Sequence, residues 1–548
     1  MFANYACIWD RIAEEHPHRA AVQTGTARQT YQEFRSHAEF AARALKHHGF
    51  DSGDRLAFYL HNTPEYLVLF YACLKIGVIP VSINYRYGAR EVSELISAST
   101  PRGLIYAHQN QHVVESLTTS LSPSALPDVL IHLDADCHTP HSQPSPFSSA
   151  SWNEFLSTAA ADSAHQDPLT PPPDDAELYV FTGGTTGIPK AVVWGVSDLL
   201  HVQQQSIYGP LGWDHPDDVE QAIDLVRNTD QAPIITLPLA PFIHATALFT
   251  AMNTLVAGGT VVINPAASLN PDDAARLIMD QRVTQLVVAG DAVALPLLDA
   301  LEQHAGTQDV PLRSVISSGM RFSDDTKARI HALGEVSIVD ILASTEGGPY
   351  AMALSHAASD LPARFRLTPD AVVLDDHDED VSDVVGAMGL LAYQGALPRG
   401  YLNEPVKTQE TYPIIRGVRT ARPGDYVQVE QNRYIQLLGR GSSVVNSGGE
   451  KVFPGEVEEI ILQLDDVTDA VVFGVHDPTW GERVAASVTV SENSTLTAQE
   501  VFEHVGAHLA GYKKPRVVMI SERSHRGPTG KINMRDLRTS ITDHGTRF

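Results

Sequence analysis

The sequence predicts an α/β protein: a large N-terminal domain of two packed α/β sub-domains plus a β-rich part, followed by a small mobile C-terminal α/β domain. Three observations carry the α/β class and the division into domains. A chain of 548 residues with 43% hydrophobic content has enough apolar surface for a large core and more than one domain. Its first hundred residues alternate helical and strand patterns, the signature of a doubly wound sheet. A fresh α/β pattern then begins after a Gly/Ser-rich stretch at Arg440-Gly-Ser-Ser.

In order along the chain, TYQEFRSHAEFAARALKHHG is amphipathic and ends on Gly49, so it predicts a helix. RLAFYL is a short apolar strand, and EYLVLFYACLKIG returns to a helical pattern. Residues 134–175 shift to Ser, Pro, Thr, Asp and His, which predicts a long surface connector between two sub-domains. The acidic run 375–383 reads as an exposed loop between strands. EVEEIILQL, DAVVFGV and RVAASVTV supply the C-terminal helix and strands. The expected boundary divides residues 1–440 from 441–548.

A formal net charge of -27 argues against nucleic acid as a partner, because the field of the whole molecule repels phosphate backbones. The last segment runs against this trend, with Lys513, Lys514, Arg516, Arg523, Arg526, Lys531, Arg535 and Arg538 set against Glu522 and Asp536. It is either a solvated face or a surface that handles polyphosphate anions. Cys7, Cys73 and Cys137 lie far apart with no C-x-x-C pair, which argues against a disulfide framework and a structural zinc. No apolar run is long enough for a membrane span and the first residues carry no basic leader, so a soluble cytoplasmic protein is expected.

The most informative segment is YVFTGGTTGIPKAVVW, residues 179–194. Thr182, Gly183, Gly184, Thr185, Thr186, Gly187 and Lys190 pack amide donors, hydroxyls and one mobile charge into nine residues. Glycines let backbone N–H groups approach an anion closely, and polyphosphate is the natural guest. The G-x-x-x-x-G-K-[ST] spacing fails, so this is no Walker A loop. Apolar YVF enters and β-branched AVVW leaves, which predicts strand, loop, strand. No G-x-S-x-G elbow or H-E-x-x-H helix is present, so serine hydrolase and zinc protease chemistry lack support.

With these motifs the sequence resembles the adenylate-forming superfamily of acyl-CoA synthetases, adenylation domains and luciferases over nearly its whole length. The resemblance implies that Ser317, Ser318 and Gly319 lie where adenine is held. Asp340-Ile-Leu-Ala-Ser-Thr-Glu346 corresponds to the family's Thr-Glu motif, which implies that Ser344 and Thr345 meet the nucleotide and Glu346 helps hold Mg2+. Leu342 and Ala343 depart from it, standing where an aromatic residue and a glycine are usual. Asp425 and Arg440 match the ribose contacts. Ser442 matches the hinge, and Gly448, Gly449 and Lys451 match the loop along which coenzyme A enters. Lys531, in Pro528-Thr-Gly-Lys531, matches the catalytic lysine, and His244, in Pro241-Phe-Ile-His244, matches a residue beside the substrate carboxylate. A core histidine is the competing reading of His244, and the pair His47-His48 reads as solvated.

Among members, the segments PIITLPLAPFIHATA, AGDAVALPLLDAL and GRGSSVVNSGGEKVFP most resemble actinobacterial synthetases for long-chain fatty acids and steroid side-chain acids. The resemblance thus implies a ligase that uses ATP, Mg2+ and coenzyme A on a small-molecule carboxylate, with a homodimer left open. Two alternatives remain open: transfer of the acyl group to a carrier protein, and a non-catalytic nucleotide- or acyl-binding protein.

Overall fold

The computed structural model describes residues 4–133, 149–161, 169, 175–182, 189–266, 268–305, 309–440, 445–447, 450–477, 481–526, 532 and 534–548. They form two compact units, one of Met1–Ala363 with Gln394–Ala421 and one of Arg364–Tyr393 with Arg422–Phe548.

The first unit holds two sheets. In one, parallel strands Ile79–Ser82, Arg55–Tyr59, Gly103–Ala107 and Val129–Leu133 lie side by side. Glu177–Thr182 joins Ile79–Ser82 in parallel, and Lys190–Gly195 then turns back antiparallel. Arg55–Tyr59 is buried almost throughout, as a strand covered on both faces must be. The predicted helix Tyr31–His47 forms with a full capping box, Thr30 and Glu33 each accepting from the other's backbone N–H. Helix Pro64–Ile76 starts with Thr63 and Pro64 and stops at Gly77, whose φ of 74° suits glycine.

The second sheet of this unit has a parallel centre of Thr260–Ile263, Ile235–Pro238, Gln285–Val288, Ser314–Ser318 and Ser337–Ala343. Pro349–Ser355 pairs antiparallel with Ser337–Ala343. Its core is a continuous apolar cluster that includes Leu237, Leu286, Val288, Val315 and Ile338. Parallel strands send all their carboxyl ends to one edge, so the loops after 238, 288, 318 and 343 gather there.

The second unit pairs an antiparallel set, Ala371–Leu374, Met388–Tyr393, Asp425–Val429, Tyr434–Arg440 and Phe365–Leu367, with a C-terminal sheet built on the long hairpin of Val467–Asp477 and Gly481–Val490. Helix Pro454–Ile461 presses Gly455 against the backbone of Leu437 and Leu438, where an added Cβ would sit 2.9 Å from the Leu438 carbonyl oxygen. Val445, Val457, Val472 and Val488 make this part's core. The acidic run lies between Ala371–Leu374 and Met388–Tyr393, an exposed loop as predicted.

Two expectations need correction. The connector 134–175 links strands of one sheet rather than two sub-domains, and it contains a helix, Trp152–Ala161. Nor is His48 solvated: its ring stacks on fully buried Phe155 of that helix, with 5.4 Å between centroids, and burial lowers its pKa. A composition rich in Ser and Pro hides this docking, in which Phe155 is the buried anchor. Among the described residues, no helix is long and apolar enough to cross a membrane.

Candidate active site

Thr182 ends one strand and Lys190 begins the next, and the two are directly opposed in the antiparallel register. The two flanking strands therefore form as predicted. Gly183, Gly184, Thr185, Thr186 and Gly187 lie outside the described residues. The hairpin's ends are tied to two distant segments. Thr182 donates from Oγ1 to Glu346 Oε1 at 3.2 Å, and Lys190 Nζ lies 3.1 Å from Glu404 Oε2.

Ser344, Thr345 and Glu346 occupy the turn after Ser337–Ala343, at the carboxyl edge of the parallel sheet. A bulge between Leu342 and Ala343 re-aims the chain just before it, so the two unusual residues lie where the strand leaves its register. Trp194 Nε1 donates to the Thr345 carbonyl at 2.9 Å, and Ser344 Oγ lies 3.1 Å from the Tyr350 hydroxyl. Gly347 permits this close packing, since a Cβ there would sit 2.3 Å from the Tyr350 oxygen. A second hydroxyl holds the carboxylate: Tyr401 donates to Glu346 Oε1 at 3.0 Å. The same Glu346 oxygen thus accepts from Thr182 and Tyr401.

Ser317 and Ser318 commit their hydroxyls to the backbone. Ser317 Oγ accepts from Gly290 N at 3.1 Å, and Ser318 Oγ donates to the Ile341 carbonyl at 2.8 Å. What this segment offers a ligand is exposed backbone at Gly319, which has φ of 83° and open space where a Cβ would point. Behind it, Lys327 Nζ pairs with Asp340 Oδ2 at 2.9 Å, their side chains only 4% and 8% exposed. Burial raises the Asp340 carboxyl's pKa above its usual range, against the pull of Lys327.

His244 is exposed at the start of helix Ala245–Val256, which rules out the core-histidine reading. Its loop is fastened by Asn62, which donates to the Ala240 carbonyl at 3.1 Å and accepts from Phe242 N at 2.7 Å. In the second unit, Asp425 and Arg440 are directly opposed on neighbouring antiparallel strands, so two residues singled out separately share one place. Lys451 lies on Glu450–Val452, opposite Asn446. Ser442, Gly448, Gly449 and Lys531 lie outside the described residues.

Trp194, Tyr401 and Glu404 contact the candidate residues Thr345, Glu346 and Lys190, pairings the sequence did not reveal. Their partners are 151, 55 and 214 positions away in sequence, and no periodicity reports such distances. Chemically, the hairpin ends and the 344–346 turn form a cluster rich in oxygen donors with one lysine beside it. A hard cation such as Mg2+ takes oxygen ligands, so the Glu346 carboxylate and Thr182 hydroxyl fit it by type. Glu404 competes with any anion for Lys190. Exposed pairs of this kind contribute about 0.2–1 kcal/mol. Glu404→Gln should therefore tighten ATP binding by up to about fivefold in calorimetry; weaker binding would mean that Glu404 aligns Lys190 instead.

Residues 9–402 match the AMP-binding enzyme family, and residues 456–531 match the AMP-binding enzyme C-terminal domain. The chain is 32% identical over 545 residues to a medium/long-chain-fatty-acid–CoA/3-oxocholest-4-en-26-oate–CoA ligase of Mycolicibacterium smegmatis, covering 98% of this chain and 96% of that one. It is 31% identical to a 3-oxocholest-4-en-26-oate–CoA ligase of Rhodococcus rhodochrous over 547 residues, covering 98% and 95%. The solved fatty acyl-CoA synthetase of Mycobacterium tuberculosis shares the fold, with a TM-score of 0.71 at 24% identity and 99% of both chains covered. With both family regions matched and full-length relatives above 30% identity, the chain belongs to the AMP-binding, adenylate-forming enzyme family.

Proposed function

We propose that this chain activates a carboxylic acid with ATP and passes the acyl group to coenzyme A, with fatty acids and steroid side-chain acids as its substrate class. The hydrogen bond from Thr182 to Glu346 carries the reading, because it joins the threonine–glycine hairpin to the Thr-Glu turn as one bound metal–polyphosphate would require. Full-length kinship to ligases named for those acids supports the substrate class.

In the first half-reaction the 182–187 segment and Lys190 hold the phosphates, and Thr345 meets the α-phosphate. Asp425 and Arg440 take the ribose hydroxyls from opposed strand positions. Bound Mg2+ neutralises phosphate charge, and Glu346 is the residue that would hold it. His244, exposed after the Asn62-fastened loop, stands beside the carboxylate, and Lys531 lies between carboxylate and α-phosphate. A carboxylate oxygen attacks the α-phosphorus and pyrophosphate leaves, giving acyl-AMP. The C-terminal domain, residues 441–548, then turns about Ser442 against residues 1–440. The turn removes Lys531 and brings in Gly448, Gly449 and Lys451, along which the pantetheine thiolate reaches the acyl carbonyl, and AMP departs. As a ligase of CoA and ATP it works in the cytoplasm, and homodimerisation remains part of the proposal.

The test of substrate class is ATP–pyrophosphate exchange driven by a panel of acids. Exchange with fatty or steroid side-chain acids and none with amino acids is expected. Exchange driven only by amino acids would overturn the substrate class.

A further inference from the structure

Tyr412 follows helix Pro405–Thr411 and is 4% exposed, yet its hydroxyl has no hydrogen-bond partner among the described residues. The ring lies 6.2 Å from that of Tyr401, and the Arg419 guanidinium sits 4.6 Å above it. Its surroundings are those of the Thr-Glu turn. Burial, then the charge of Glu346, then Tyr401 and Tyr350 drive its ionisation upward. Tyr401 already satisfies Glu346 Oε1, and Tyr350 already meets Ser344. Tyr412 is the remaining hydroxyl of this tyrosine group, and it is left over.

A buried hydroxyl without a partner destabilises the fold, whereas phenylalanine would fill the same space without that cost. The hydroxyl is therefore best explained by a second state in which it is paired. We propose that Tyr412 is a positioning residue of the metal–triphosphate site, its hydroxyl without a protein partner among the described residues and taking one beside Glu346 when Mg–ATP binds. This rests on the assignment of Glu346 to the nucleotide site. The partner is a phosphate oxygen or a metal-bound water, both strong hydrogen-bonding groups next to a charge.

The test compares the full-length wild type, Tyr412→Phe and Glu346→Gln by thermal unfolding without ligand and by calorimetric titration with Mg–ATP and with ATP in EDTA. Tyr412→Phe should melt at or above the wild-type midpoint without nucleotide, yet bind Mg–ATP about tenfold more weakly. Weakening confined to Mg–ATP would assign the partner to the metal's water shell; equal weakening in EDTA would assign it to phosphate. A lower nucleotide-free midpoint, which would mean the hydroxyl is already paired, overturns the proposal, as does unchanged Mg–ATP affinity. Should Glu346→Gln bind Mg–ATP as tightly as wild type, the nucleotide-site assignment itself fails and the proposal falls with it.

Discussion

Lys531→Ala should cut acyl-AMP formation by on the order of 10²- to 10³-fold while sparing thioester formation from supplied acyl-AMP. In the first step two anions, a carboxylate and the α-phosphate, must come within bonding distance, and negative charge then builds on the phosphorus oxygens. A cation between them offsets the repulsion and is worth most where water is excluded. In the second step the acyl group is already activated, and on the proposed domain turn Lys531 has left the reacting atoms. Lys531 is the last residue of the matched C-terminal family region. Single-turnover measurement of the two halves separates the cases. Equal loss in both would mean that Lys531 maintains the domain rather than the chemistry.

Lys327→Ala should be the most destabilising single change among the pairs described, by about 3–5 kcal/mol, because it strands a carboxylate inside the protein. Lys327 and Asp340 bridge helix Asp324–Ala332 and strand Ser337–Ala343, whose end carries the Thr-Glu turn. Asp340 already holds its proton more tightly than usual, and without Lys327 it would hold it more tightly still. The folded chain then binds a proton more readily than the unfolded one. The deficit should accordingly be full at neutral pH and shrink as pH falls through the raised Asp340 pKa. Paired replacement, Lys327→Met with Asp340→Leu, should recover most of the stability, since it removes both charges. Denaturation midpoints of the two variants across pH 5 to 8, with wild type alongside, check this. A deficit independent of pH, or one the paired replacement deepens, would contradict it.

Wherever backbone chemistry is local, the sequence was readable. Apolar YVF and β-branched AVVW revealed strands Glu177–Thr182 and Lys190–Gly195, and the helix Tyr31–His47 followed from its apolar spacing. Asp425 and Arg440 were chosen from separate motifs, and antiparallel pairing set them opposite one another. What escaped is long-range pairing. Nothing in Gly400-Tyr401 announces that this two-residue edge strand delivers a hydroxyl to Glu346, or that Glu404 engages Lys190. The helix Trp152–Ala161 was hidden for another reason: Phe155, stacked between His48 and Trp152, sits in a composition that elsewhere signals a loop.

The most direct measurement is product analysis by mass spectrometry of the protein with Mg–ATP and a panel of fatty and steroid side-chain acids, each with and without coenzyme A. An acyl-CoA that gives way to acyl-AMP and pyrophosphate when coenzyme A is withheld is the expected result. Acyl-AMP alone in both cases would move the acceptor to a carrier protein, and no adenylate with any acid would contradict the proposed chemistry.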